Sequence, residues 1–76
     1  MALLLAKLHL TIPEKDIFYV SWNLDACDGL GILQTDDAKC GKVTIFTPDC
    51  QLQELYAFID GQIADGIDIK IDYVEN

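Results

Sequence analysis

The chain has 76 residues and a formal net charge of -8, and 51% of its residues are hydrophobic. This hydrophobic content excludes a disordered chain, and the length suits one domain, residues 1–76, with a small core. All five basic residues are lysines. The bidentate arginine contacts that dominate phosphate and base recognition are therefore missing, so we expect no nucleic-acid partner.

The first predicted element is a strand from Leu5 to Ile12, in which Leu8, Leu10 and Ile12 alternate with polar residues. The apolar start of the chain, residues 2–6, lacks the basic and long apolar regions of a signal peptide and is too short to span a membrane. We therefore expect a cytoplasmic protein without a membrane partner.

A helix is predicted from Pro13 to Asp28, and it carries two apolar stripes. The stripes lie roughly opposite each other, so only one of them can face the sheet. The other stripe either packs against the flank of the second helix near Phe58 or is exposed as the anchor of a partner surface. The core stripe consists of Ile17, Val20, Leu24 and Cys27, and the candidate partner surface consists of Phe18, Tyr19 and Trp22.

Two short strands follow, from Leu30 to Thr35 and from Lys42 to Thr47, joined by a hairpin loop from Asp36 to Gly41. Gly41 is the loop residue best able to take a positive φ. The pair Asp36-Asp37 suits a turn for backbone reasons, and no multi-oxygen loop motif surrounds it. We therefore expect no Mg²⁺ or Ca²⁺ site in this hairpin.

A second helix is predicted from Pro48 to Asp65, with Thr47 as its N-cap and Gly66 just past its end. The last strand is predicted from Ile67 to Val74, where every second residue is apolar, so one face is buried and the other is wet. The core stripe of the helix contains Leu52, Leu55, Tyr56, Ile59 and Ile63, and the apolar positions of the strand are Ile67, Ile69, Ile71 and Tyr73.

This order of elements, β-α-β-β-α-β, predicts an α+β fold: a ferredoxin-like sandwich with a four-stranded antiparallel sheet in the order 4-1-3-2 and two helices on one face. The second and fourth strands are then edges, which pair with other strands unless charges blunt them. The fourth carries Asp68, Lys70 and Asp72, whereas the second has no charged residue. We therefore expect a homodimer through the second strand. The candidate dimer edge consists of Leu30, Ile32 and Leu33.

The open face of the sheet contains the single histidine, His9. No Ser, Cys or carboxylate constellation converges on it by sequence, so a solvated strand residue is the ordinary interpretation. The three cysteines are odd in number and widely spaced, which excludes a disulfide framework and a CxxC motif. We expect no catalytic residue, no metal ligand and no cofactor, and an enzyme using Cys50 or His9 is the weakest alternative. The candidate open-sheet surface consists of His9, Phe46 and Lys70.

Four short motifs stand where the predicted elements meet: Pro13-Glu14-x-Asp16-Ile17, Asp28-Gly29-Leu30, Gly41-x-Val43 and Pro48-Asp49. Together they resemble a small bacterial family described as domain of unknown function 4911, over about residues 5–65, and this resemblance implies no established activity. The fold is also similar to that of the ACT regulatory domains, which implies edge-to-edge pairing and an amino-acid ligand at the interface. The ligand-binding glycine of those domains lies between the first strand and the first helix, where this chain has Ile12-Pro13-Glu14.

Composition and fold together favour association over chemistry. We expect a small acidic interaction or regulatory module that binds another protein and itself. The alternative is a small-molecule sensor of the ACT kind, a dimer that binds an amino acid or another metabolite. An interaction module requires an exposed aromatic patch, whereas a sensor requires a pocket lined by backbone amides at a dimer interface.

Overall fold

A computed structural model describes residues 4–27 and 29–75 of the chain. The order β-α-β-β-α-β is confirmed, with a short 3-10 turn, Asp49–Gln51, before the second helix. The elements are β1 (Leu5–Thr11), α1 (Glu14–Asp25), β2 (Ile32–Asp37), β3 (Lys42–Pro48), α2 (Leu52–Ala64) and β4 (Lys70–Glu75).

The four strands form one antiparallel sheet in the order β2-β3-β1-β4, which is the predicted order 4-1-3-2 read from the other side. The central pair, β1 and β3, has Leu8 opposite Ile45. Both helices bury their apolar stripes against the face that carries these two residues, because all of them belong to one core. The buried core consists of Leu8, Leu10, Ile12, Ile17, Val20, Leu24, Val43, Ile45, Leu55, Ile59, Ile67 and Ile69.

Helix α1 ends earlier than predicted. Its last residue is Asp25, and the predicted end at Asp28 lies outside the described residues. Cys27 follows the helix, with its backbone N–H on the carbonyl of Leu24 at 3.0 Å. Cys27 is only half-buried, so the core stripe of α1 consists of Ile17, Val20 and Leu24 alone.

Helix α2 begins later than predicted, because its expected N-cap is engaged elsewhere. Thr47 lies in β3, and its hydroxyl donates to the backbone carbonyl of Leu30 at 2.7 Å instead of capping the helix. The prediction of Ile63 as a core residue is wrong as well: Ile63 is exposed, and Gln62 is buried in its place. Gly66 follows the helix with a φ of 101°, as predicted for a residue just past the end.

Strand β2 is displaced by two residues from its predicted span, Leu30–Thr35. Leu30 accepts the Thr47 hydroxyl and donates its own N–H to the carbonyl of Cys27 at 3.0 Å. Its backbone therefore belongs to the turn after α1. At the other end, Asp36 and Asp37 continue the strand, and the register shifts between Thr35 and Asp37.

Strand β4 begins at Lys70, so Ile67 and Ile69 are buried in the segment that leads into it. The register with β1 shifts between His9 and Leu10, because Ile71 lies opposite Leu10 whereas Tyr73 lies opposite His9. Asp72 is the extra residue of this bulge. The bulge turns Tyr73 to the open face, so the prediction that Tyr73 shares the buried face of the strand is wrong. Ile71 lies on the core side opposite Leu10, but it is exposed, so its predicted burial is wrong as well.

Candidate functional site

The outer side of α1 carries an exposed aromatic surface, which we define as Phe18, Tyr19 and Trp22. At 100° per residue, Phe18 and Trp22 lie about 160° to 200° round the helix from the buried Val20. Phe18 is 75% exposed and Trp22 is 68% exposed, and Tyr19 is exposed as well. The rings of Phe18 and Trp22 are tilted by 55° with their centroids 6.0 Å apart, so they form one continuous apolar ridge.

The flank of α1 that faces α2 is occupied by polar residues. Asn23 donates its side-chain N–H to the Gln62 side-chain oxygen on α2 at 2.9 Å. Phe58 packs against the core, and Trp22 is too exposed to lie in the contact between the helices. The alternative in which the aromatic stripe packs against α2 is therefore wrong for Phe18 and Trp22.

A hydrogen-bonded chain of side chains crosses the open face of the sheet, with one residue from each strand. The Thr44 hydroxyl lies 2.5 Å from Asp36 Oδ2 and 3.1 Å from His9 Nδ1, and His9 Nε2 lies 3.1 Å from Glu75 Oε1. Tyr73 stacks on the His9 ring with centroids 4.2 Å apart. His9 is thus a half-buried connector between strands, and the prediction of a solvated residue is wrong.

The carboxylate, imidazole and hydroxyl groups of Glu75, His9 and Thr44 follow one another as in a catalytic triad. The hydroxyl proton, however, is donated to Asp36 and not to His9. A threonine hydroxyl has one proton, and the short bond to the Asp36 carboxylate is charge-assisted and takes it. This bond, followed by one from Gln34, lowers the pKa of Asp36. His9 then faces a lone pair of Thr44, which is only 4% exposed. The arrangement braces the sheet and does not activate a nucleophile.

A second bulge aspartate makes an equivalent contact at the other edge. Thr11 donates its hydroxyl to Asp72 Oδ2 at 2.7 Å, and the Lys42 ammonium lies 3.4 Å from the same oxygen. The Thr11 bond, together with the nearby lysine charge, lowers the pKa of Asp72. Between the two bulges lies a depression of about 320 Å³, whose lining includes His9, Lys42 and Tyr73. Of the predicted open-sheet residues, His9 is therefore the one at this depression, and Phe46 and Lys70 lie elsewhere on the same face.

The candidate dimer edge is only partly exposed. Ile32 lies opposite Phe46 on the open face and is 69% exposed. Leu33 lies opposite Ile45, and both Leu33 and Leu30 pack against the core. A partner strand at this edge would therefore meet Ile32 directly.

The three cysteines are free thiols, and those at positions 40 and 50 are exposed. A hydrogen bond to Asp37, together with the charge of this carboxylate, raises the pKa of Cys40, which disfavours the nucleophilic thiolate. Within residues 4–27 and 29–75, no group of three or more His, Cys, Asp or Glu side chains is arranged to hold a metal ion.

Sequence reasoning missed Thr44 and Glu75 as partners of His9, and Asp36 as the acceptor of the Thr44 hydroxyl. Alternation places Thr44 on the same face as His9, but the pairing of the strands was needed to bring the two together.

Compared with protein-family models, with curated proteins and with solved structures, the chain shows no match. Among the described helices, none is long and apolar enough to cross a membrane.

Proposed function

We propose that the chain is a protein-interaction module without catalytic activity, which docks another protein through the aromatic surface of α1. The observation that carries the proposal is the exposure of Trp22 and Phe18 on a helix whose core stripe is already complete without them. Tryptophan and other aromatic residues are enriched among the side chains that dominate binding energy at interfaces.

Two further features support this proposal over chemistry. The Thr44 hydroxyl donates to Asp36, so His9 does not act as its base. At the exposed thiol of Cys40, the hydrogen bond and charge of Asp37 outweigh the charge of Lys42 and raise the pKa, whereas an activated cysteine requires a lowered one. The exposed aromatic surface is a feature that a solvated monomer does not require.

A small-ligand sensor is the second candidate, and the depression on the open face favours it. Its polar lining combines the His9 imidazole, the Tyr73 ring and the Lys42 ammonium. Both nearby aspartates already accept hydroxyl hydrogen bonds, so a ligand gains little from them. Thermal unfolding of the purified protein in the presence of each of the twenty amino acids tests this candidate. A ligand supports it if it raises the melting temperature of the wild type but not that of Lys42→Ala.

Trp22→Ala tests the proposed docking surface, with Leu4→Ala as the matched control because Leu4 is equally exposed but lies just before β1. Partners captured with the wild-type chain are identified, purified and titrated against each variant. We expect Trp22→Ala to weaken binding by about tenfold or more and to change the free energy of unfolding by about 0.5 kcal/mol or less. Leu4→Ala should leave this binding unchanged.

The single tryptophan also reports directly on its environment. In the isolated protein, we expect Trp22 emission close to that of the free indole and efficient quenching by acrylamide, because the side chain is exposed. Addition of the partner should shift the emission to the blue and protect it. A Trp22→Ala variant that unfolds, or that binds its partner as tightly as the wild type, would remove the proposal.

A further inference from the structure

The charges of the chain are divided unevenly between its two layers. Helices α1 and α2 together carry five carboxylates and one lysine. The strands and the hairpin between β2 and β3 carry the other four lysines together with four carboxylates. The aromatic surface therefore belongs to an acidic layer, in which the single lysine, Lys15, lies on the same side of α1 as Phe18. The charged residues of the two helices are Glu14, Lys15, Asp16, Asp25, Glu54 and Asp60.

The carboxyl end of α1, beside Trp22, has one carboxylate and no basic residue. Trp22 lies in the last turn of α1, and the helix ends at Asp25. The carboxyl end of a helix carries a partial negative charge, which a lysine or arginine normally complements. A basic group of a partner would find both the helix end and the Asp25 carboxylate within reach of Trp22.

We infer that the occupant of the aromatic surface is a basic segment of another protein, with apolar side chains that cover Phe18 and Trp22. This inference rests on the proposed function and adds the chemistry of the partner. Charge complementarity carries it, because complementary potentials steer association and suppress wrong partners.

The same charges argue against the other occupants of an exposed aromatic helix. Helices that lie on membranes carry lysine and arginine on their polar face to meet anionic lipids, and α1 has one lysine against three carboxylates. Nucleic acid is repelled for the same reason. A second copy of the chain would bring two acidic helix layers together, and like charges at an interface are unfavourable.

Two synthetic peptides provide the probes. Both are amphipathic, with leucines along one face and no tryptophan, and they differ only in carrying lysines or glutamates on the flanks. We expect the lysine peptide to bind the full chain in calorimetric titrations and the glutamate peptide not to bind. Raising the salt to about 0.5 M NaCl should weaken binding of the lysine peptide by about tenfold, because the partly exposed charges are then screened.

Three variants locate the binding site. Trp22→Ala should weaken binding of the lysine peptide by about tenfold or more. Asp25→Asn should weaken it about threefold, whereas Asp60→Asn should have no effect. Asp60 is the matched control because it is an exposed helix aspartate about 160° round α2 from Gln62, which faces α1.

The outcomes separate this inference from the proposed function. Lysine-peptide binding that survives Trp22→Ala is unspecific attraction to an acidic protein and overturns the inference, as does equal binding of the two peptides or binding of neither. A natural partner that depends on Trp22 but binds more tightly at high salt would overturn the basic chemistry and leave the docking surface intact. A natural partner that ignores Trp22 would overturn both.

Discussion

At the scale of single residues, two glycines with the same backbone conformation have different surroundings. Gly41 and Gly29 both have a positive φ, 72° and 75° respectively. A Cβ on Gly41 would collide with the backbone carbonyl oxygen of Ile12, whereas one on Gly29 would meet no atom within 4 Å. The Gly41 carbonyl in turn accepts the Ile12 N–H at 2.8 Å, so the hairpin and the end of β1 are held together.

We therefore expect Gly41→Ala to destabilise the protein more than Gly29→Ala. The positive φ alone costs about 1 kcal/mol at either position. At Gly41 the collision with backbone adds to it, for a total of about 2 to 4 kcal/mol. Urea unfolding followed by circular dichroism measures the loss of unfolding free energy in each variant. Equal losses for the two variants would show that the hairpin yields to the added methyl group.

The two bulge aspartates make stability depend on acid. The pKa values of Asp36 and Asp72 are lowered in the folded state, chiefly by hydroxyl hydrogen bonds from Thr44 and Thr11. Their contribution is complete above the unfolded carboxyl pKa of about 3.9. It is lost as the pH falls through the lower folded values, because the unfolded state then binds protons first.

Thr44→Val and Thr11→Val test this origin of the acid sensitivity. We expect the urea midpoint of the wild type to fall as the pH decreases from about 5 towards 3, and to fall less steeply in the double variant. Valine keeps the shape of threonine and removes the hydroxyl, which donates to the aspartate and also contacts His9 at Thr44 and Lys42 at Thr11. Parallel pH profiles for both proteins would assign the acid sensitivity to other carboxylates.

At the scale of elements, the two edge strands are protected to different degrees. Strand β4 has charges at Lys70, Asp72 and Glu75 and a bulge in its middle. Strand β2 has its bulge and its two aspartates at one end, so the segment Ile32–Thr35 is uncharged and extended. An extended, uncharged edge is a template for another strand. Pairing of two copies along β2 therefore stays a prediction of the fold.

Ile32→Lys is a suitable test of that pairing, because Ile32 is exposed and Leu33 is not. If the chain dimerises along β2, the wild type should sediment as a dimer at high micromolar concentration, and the variant should sediment as a monomer of unchanged stability. Ala57→Lys adds the same charge on the exposed side of α2 and should leave the dimer intact. A wild type that sediments as a monomer at this concentration would contradict the prediction of a dimer.

At the scale of the whole molecule, the net charge of -8 opposes compaction. The repulsion is concentrated in the helix layer, where Lys15 is the single lysine. We expect the urea midpoint to rise when NaCl is added, because salt screens this repulsion. Replacing Glu54 and Asp60 by Gln and Asn should make the midpoint less sensitive to salt. A midpoint that falls with NaCl would show that attractive pairs such as Lys42 with Asp72 dominate.

Periodicity along the sequence is sufficient to predict the order of elements and the two stripes of α1, and the strand order follows from the fold of which this order of elements is typical. The elements and the stripes are visible as periodicity within a short segment, so the sequence of that segment is enough to predict them. The alternation of Leu8, Leu10 and Ile12 and the spacing of Ile17, Val20 and Leu24 placed the core correctly. The exposure of Trp22 was left open, because a stripe does not say which neighbour covers it.

The element boundaries, the two bulges and the network around His9 depend on contacts between elements. Thr47 contacts Leu30, which shortens α2 at its start and delays β2, although the two residues are far apart along the chain. Gln62, which accepts a hydrogen bond from Asn23, is buried in α2, whereas Ile63 is exposed. Each of these contacts joins separate elements, so its geometry depends on register and packing, and neither is encoded in the pattern of a single segment.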